Sequence, residues 1–182
     1  RECKFISPEA IAARRATLPT FRDGKPRICL LTFASNLSPE LRTSSLSNKK
    51  AYASHHGYDL LIGDAEIDPS RPAPWSKLTI LQKHLPDYDY MVWSDADAIF
   101  MNMSIAIEDL LDGSHELFFA EDVASINSGV FIIHNSEWSL WWLKECWDQT
   151  WLVTGRHPFL YEQRAMQYLY GTRDLTNDAR RN

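Results

Sequence analysis

The chain has 182 residues, a net charge of −5, 45% hydrophobic and 24% charged residues, and few glycines and prolines. That length supports one domain with its own core, and the composition excludes a disordered, collagen-like or linker chain. The acidic balance lacks the electrostatic footprint of a nucleic-acid binder, so a phosphorylated ligand would need its charge neutralised by something else.

Ser7-Pro8-Glu9 has the form of a helix start: cap, proline, acid. A helix is expected from there to about Thr17, followed by a polar turn from Pro19 to Pro26. Arg27 to Ala34 (RICLLTFA) is a continuous apolar run, the mark of a strand covered on both faces. Ser38-Pro39-Glu40 opens a second helix that ends at His56 before Gly57. Tyr58 to Ile62 reads as a second strand, and Asp64 to Pro74, with three prolines, as a loop. Trp75, Leu78, Leu81 and Leu85 recur at helical spacing, and Pro86 stops that helix. Tyr88 to Trp93 is the third strand; Glu116 to Ala120 and Gly129 to Ile133 are further strands. Glu137 to Val153 is a tryptophan-rich helix whose aromatics read first as core and only secondarily as platforms for sugar rings. Tyr161 to Tyr170 is the last helix, and the tail after Gly171 is polar.

Strand and helix alternate through the first three strands, so right-handed crossovers give a parallel sheet with helices on both faces. Ligands in such sheets bind beyond the carboxyl ends of the strands. No apolar run reaches the ~20 residues that span a bilayer. The first residue is Arg1, which reads as a removed leader or anchor, or as a fragment. Cys29 reads as a buried thiol; Cys3 and Cys146 pair only if the fold brings them together. The sequons Asn36-Leu37-Ser38 and Asn102-Met103-Ser104 are a weak sign of a secretory compartment.

The residues best suited to chemistry are Asp95-Ala96-Asp97. They follow the apolar strand and precede a second apolar piece, Ala98 to Met101. Carboxylates in that setting must be solvated, paired or metal-bound, because burying a bare charge is costly. Two hard oxygen donors at spacing two suit Mg²⁺ or Mn²⁺, which bind through one or two carboxylates plus substrate phosphates. Two enzyme classes place such a pair at a strand end. One is a nucleotide-sugar transferase with a metal on the diphosphate; the other is a phosphatase with Asp95 as nucleophile. Ala98-Ile99-Phe100 after the pair disfavours the phosphatase.

Five elements then occur in order: Asn48-Lys49-Lys50-Ala51-Tyr52 with His55-His56-Gly57-Tyr58; Trp75-Ser76-Lys77-Leu78; Tyr90 to Asn102; Asn127-Ser128-Gly129-Val130-Phe131 with Asn135 to Ser139; and Glu162-Gln163-Arg164-Ala165. Together they resemble the retaining glycosyltransferase family of fungal and plant Golgi enzymes. That family includes galactomannan galactosyltransferases, xyloglucan xylosyltransferases and yeast Golgi mannosyltransferase subunits. The resemblance implies an α/β GT-A fold with a Rossmann-like, mostly parallel sheet. Residues 1–182 would form a single GT-A catalytic domain, with 1–26 as an N-terminal extension and the C-terminal part of the domain missing. In this family a histidine well downstream of the Glu-Gln element completes the metal site, and the chain ends before one is reached.

The resemblance further implies Mn²⁺, or Mg²⁺, on Asp95 and Asp97. It implies a UDP- or GDP-linked donor against Thr32, Phe33, Ala34, Ser35, Lys77, Ser94, Asp95, Asp122, Asn127, Ser128 and Gly129. Gln163 would stabilise positive charge on the sugar through its carbonyl oxygen, and Glu162 would position it or share that task. Galactose, xylose or mannose would move to a glycan or glycoprotein. The setting would be the Golgi lumen, for a type II membrane protein working alone or in homo- or hetero-oligomers with related transferases. A catalytically silent sugar-binding partner is the other reading.

Overall fold

The structure, a computed structural model, describes residues 24–35, 37–123, 125–153 and 160–171. The expected helix over residues 7–17 lies outside them, as do most of the following turn and the tail beyond Gly171. Five strands form one sheet: β1 (Ile28–Thr32), β2 (Asp59–Ile62), β3 (Tyr90–Ser94), β4 (Leu117–Asp122) and β5 (Ser125–His134), in the spatial order β2-β1-β3-β5-β4. β1 pairs in parallel with β2 and with β3, so Leu30 faces Leu60 on one side and Val92 on the other. Flanked twice and covered on both faces, every residue of β1 is buried, which is why its sequence is a continuous apolar run.

The expected parallel pairing holds for β1, β2 and β3, and past β3 the pairings turn antiparallel. β5 runs antiparallel to β3, and β4 antiparallel to β5. Four strands therefore share one direction and β5 alone opposes it. β4 and β5 are joined directly as a hairpin, which needs no crossover helix. Their register slips after Phe119, which pairs with Phe131, whereas Ala120 pairs with Asn127. Ser128, Gly129 and Val130 thus form a bulge inside β5. The strand expected from Gly129 to Ile133 is therefore part of a longer one, Ser125–His134.

Among the described residues four α-helices cover the sheet: α1 (Pro39–His56), α2 (Ser76–His84), α3 (Glu137–Asp148) and α4 (Tyr161–Tyr170). α1 begins and ends as its sequence demands. Ser38 accepts a hydrogen bond from the Leu41 N–H, Pro39 fills the first turn, and Gly57 closes the helix at φ 78°, a left-handed conformation that favours glycine. α2 follows a short 3₁₀ turn, Ala73–Trp75. α3 stops at Asp148, before a 3₁₀ turn over Thr150–Leu152, and so is shorter than expected.

Alternation along the strands divides the core in two. Cys29, Leu31, Met91, Trp93 and Ile133 face α2, α3 and α4, where they meet Leu78, Leu81, Leu143, Ala165 and Met166. Ile28, Leu30, Val92 and Ile132 face the other way, toward Tyr52 and Ala53 of α1, Tyr58 and Ile107. Each fully buried aliphatic or aromatic side chain contributes about 1.5–3 kcal/mol. The tryptophans of 138–151 do not all join that core. Trp142 and Trp147 are buried, whereas Trp138, Trp141 and Trp151 are exposed. A helix has only one inward face, so the expectation of core for all five is corrected. Cys29 and Cys146 are free, buried thiols; Cys3 lies outside the described residues.

Candidate active site

The carboxyl ends of β1 and β3 open into a cleft of about 340 Å³ whose walls include Phe33, Ala34, Ser35, Lys77, Asp95, Asp97, Ser128, Glu162 and Gln163. Asp95 leaves β3 directly after Ser94. Its N–H donates to the Gly129 carbonyl at 2.7 Å, and its own carbonyl accepts from the Ala98 N–H at 3.1 Å, closing a tight turn. The carboxylate is oriented through one oxygen: Oδ1 accepts from Trp93 Nε1 at 2.6 Å and lies 3.3 Å from Lys77 Nζ. Oδ2 lies against Gly129. A Cβ built on that glycine would sit 3.2 Å from Oδ2 and 2.9 Å from Asn127 Oδ1, so close approach requires glycine here. Asp97, two residues on, is exposed on the cleft.

Lys77 lies beside Asp95 in the same cleft. Named from sequence among the donor-site residues, it lines the cleft but is only 2% exposed. Its ammonium donates to Glu162 Oε1 at 2.6 Å and to the Ser128 carbonyl at 2.9 Å, and lies 4.8 Å from the Trp93 ring centre. Glu162 is equally buried and also accepts from Ser128 Oγ at 2.9 Å. A buried ion pair of this kind is tolerated because hydrogen bonds satisfy both partners. Gln163 Oε1 accepts from the Ser128 N–H at 2.9 Å. The bulge in β5 is what turns the Ser128 backbone toward α4, and bulges re-aim residues in this way next to active sites.

Other residues named from sequence stand further off. Thr32 and Ser94 are buried beneath the cleft floor. Asp122 and Asn127 do not line the cleft; Asn127 Nδ2 donates to Asp122 Oδ2 at 2.8 Å across the hairpin.

Sequence reasoning missed two supports. Asp64 accepts the Ala34 N–H at 2.6 Å and pairs with Arg42 at 2.5 Å, pinning the loop after β1. Ser45, Asn48 and Lys49 reach the Asp95–Phe100 segment from α1. Burial pushes the Lys49 ammonium below the ordinary lysine range, while the charges of Asp97 and Asp95 pull it back up. The Asn48-Lys49 element is visible in the sequence; its contacts about 50 residues away are not.

A sheet of this topology that gathers two aspartates, a buried lysine–glutamate pair and a glutamine on one cleft is the GT-A-like α/β fold of glycosyltransferases. A solved structure shares it: the crystal structure of a glycosyltransferase involved in glycosylation of the major capsid of PBCV-1 aligns with a TM-score of 0.61 at 20% identity, over 80% of this chain and 76% of that one. Residues 24–115 match the galactosyl transferase GMA12/MNN10 family, and the chain belongs to it. The chain is 27% identical to a probable alpha-1,6-mannosyltransferase MNN10 of Saccharomyces cerevisiae, over 85% of its own length and 49% of that protein. It is also 27% identical to a probable xyloglucan 6-xylosyltransferase 1 of Oryza sativa subsp. indica, over 68% of its length and 32% of that protein. The chain thus spans half or less of these relatives.

Proposed function

We propose that the cleft binds a nucleotide sugar and passes its galactose, xylose or mannose to a glycan with retention of configuration. The observation that carries this reading is the convergence of Asp95, Asp97 and Gln163 on one cleft at the strand ends. The donor set fits a hard divalent cation. Asp97 is exposed on the cleft, and the hydrogen bond and the ion pair of the Asp95 carboxylate both fall on Oδ1. Among the described residues no three His, Cys, Asp or Glu side chains come together, and substrate phosphates usually complete such a shell. Mn²⁺ or Mg²⁺ bound there would act as a Lewis acid toward the departing diphosphate.

The remaining work falls to the chain. A carbonyl oxygen accepts two hydrogen bonds. The Ser128 N–H at 2.9 Å and the Ser128 hydroxyl at 3.3 Å both reach Gln163 Oε1 and fix its direction. The hydroxyl, whose shorter bond goes to Glu162 Oε1 at 2.9 Å, would yield its place on Gln163 to charge developing on the sugar. Glu162, committed to Lys77 and Ser128, positions rather than contacts. Family membership supports a Golgi-lumenal setting and a membrane-anchored protein working with related transferases. Among the described residues no helix is long and apolar enough to cross a membrane.

The test is a thermal-shift panel of UDP- and GDP-sugars with and without Mn²⁺. One base series should stabilise the chain, by mass action, and only with the cation; equal shifts without it would remove Asp95 and Asp97 from the donor site. In a transfer assay Gln163→Ala should lower turnover by roughly 10²-fold, as loss of a preorganised electrostatic group does, with donor affinity retained. Affinity lost with turnover kept would make Gln163 a binding residue.

A further inference from the structure

The segment that carries Asp97 is held from below by one face of one helix. The carbonyls of Ala96, Ala98 and Phe100 each accept a hydrogen bond from α1: from Ser45 Oγ, from Lys49 Nζ at 2.6 Å, and from Asn48 Nδ2 at 3.0 Å. Asn48 Oδ1 also accepts the Phe100 N–H at 2.7 Å. One turn further on, the Tyr52 ring stacks on Phe100 at 3.8 Å and 7°, and its hydroxyl donates to the Ile105 carbonyl at 2.7 Å. Positions 45, 48, 49 and 52 share one helical face.

The carbonyls of the two residues that flank Asp97, Ala96 and Ala98, are therefore tied down, while its own side chain stands on the cleft. Lys49 makes this arrangement hard to read as packing alone. It is completely buried, and its hydrogen bonds go to neutral oxygens, Ser45 Oγ at 2.9 Å and the Ala98 carbonyl. An apolar side chain of similar volume would fill the same space without the desolvation of an ammonium.

We infer that Asn48 and Lys49, with Ser45, are positioning residues that fix Asp97 for the divalent cation. This rests on the cation reading above. Groups that orient metal ligands in this way typically change metal affinity by about 10–100-fold when removed.

The experiment is a Mn²⁺ titration followed by electron paramagnetic resonance, with UDP and with GDP, on the parent, Asn48→Ala, Lys49→Met and Asp97→Asn. Hydrogen exchange over residues 95–101 and a thermal melt are recorded in parallel; Ser45→Ala stands in for any variant that does not melt cooperatively. Asn48→Ala and Lys49→Met should lose exchange protection in 95–101 and weaken Mn²⁺ binding about tenfold or more at a temperature where they remain folded. If both bind Mn²⁺ as tightly as the parent while Asp97→Asn does not, the positioning role is wrong and the cation reading stands. If the parent binds no Mn²⁺ with either diphosphate, the cation reading falls and this inference falls with it.

Discussion

On one face of the sheet, α2, α3 and α4 bury Leu78, Leu81, Leu143 and Met166 against Leu31, Trp93 and Ile133. On the other, the buried set of α1 is Ser45, Lys49, Tyr52 and Ala53. The first face is closed by dispersion and water exclusion, which are non-directional. The second has an apolar layer too, Ile28, Leu30, Val92 and Ile132, but adds directional hydrogen bonds from α1 to a loop. The difference teaches what each face is for. Apolar packing makes a sheet stable, whereas a helix that spends polar side chains on loop carbonyls fixes where a loop stands.

The contrast can be broken in order of expected effect. Glu162→Ala leaves the buried Lys77 with only its longer, 3.3 Å ion pair to the half-exposed Asp95, and should destabilise by about 3 kcal/mol, the low end for breaking a buried pair, in urea unfolding. A loss below 1 kcal/mol would mean that water reaches Lys77. Leu81→Ala, on the apolar face, should lose about 2–5 kcal/mol; a smaller loss would show a core loose enough to collapse. Asn48→Ala leaves the Phe100 peptide unsatisfied and should lose about 1–3 kcal/mol, with its main effect on exchange in 95–101 rather than on the global midpoint. Were it to match Leu81→Ala in global unfolding, the two faces would not differ as argued. Ser38→Ala removes the cap of α1, held through a long 3.4 Å bond, and should lose about 0.5 kcal/mol, the low end for caps.

How much was legible follows from the same contrast. β1 was visible because a doubly covered strand has no polar alternation. α1 was bounded by Ser38 and Gly57, whose roles are local. Asp95 at the end of β3 was visible because an apolar run breaks there. The hairpin was not, because Asn127-Ser128-Gly129 interrupts the apolar pattern of β5 with residues that read as a turn, and only cross-strand pairing shows them to be a bulge. Nor was the burial of two lysines. Lys49 and Lys77 find their partners 49 and 85 residues away, and sequence spacing carries no sign of such distances. Gln163 was named, but the Ser128 N–H that aims it depends on that same bulge.

The two buried thiols set an alkaline limit on the fold. Burial in the core pushes the Cys29 thiol up to about 12 and raises the Cys146 thiol well above its usual range. Once unfolded, both would release protons near pH 9, while the native chain keeps them. The contribution of these groups is fully present below that pH and is lost as pH rises toward the folded values. The same protonated burial shields both sulfurs from alkylation, since the thiolate is the nucleophile, and so makes them a clock: at pH 8 their rate of labelling reports how often the centre of the sheet and α3 open to solvent.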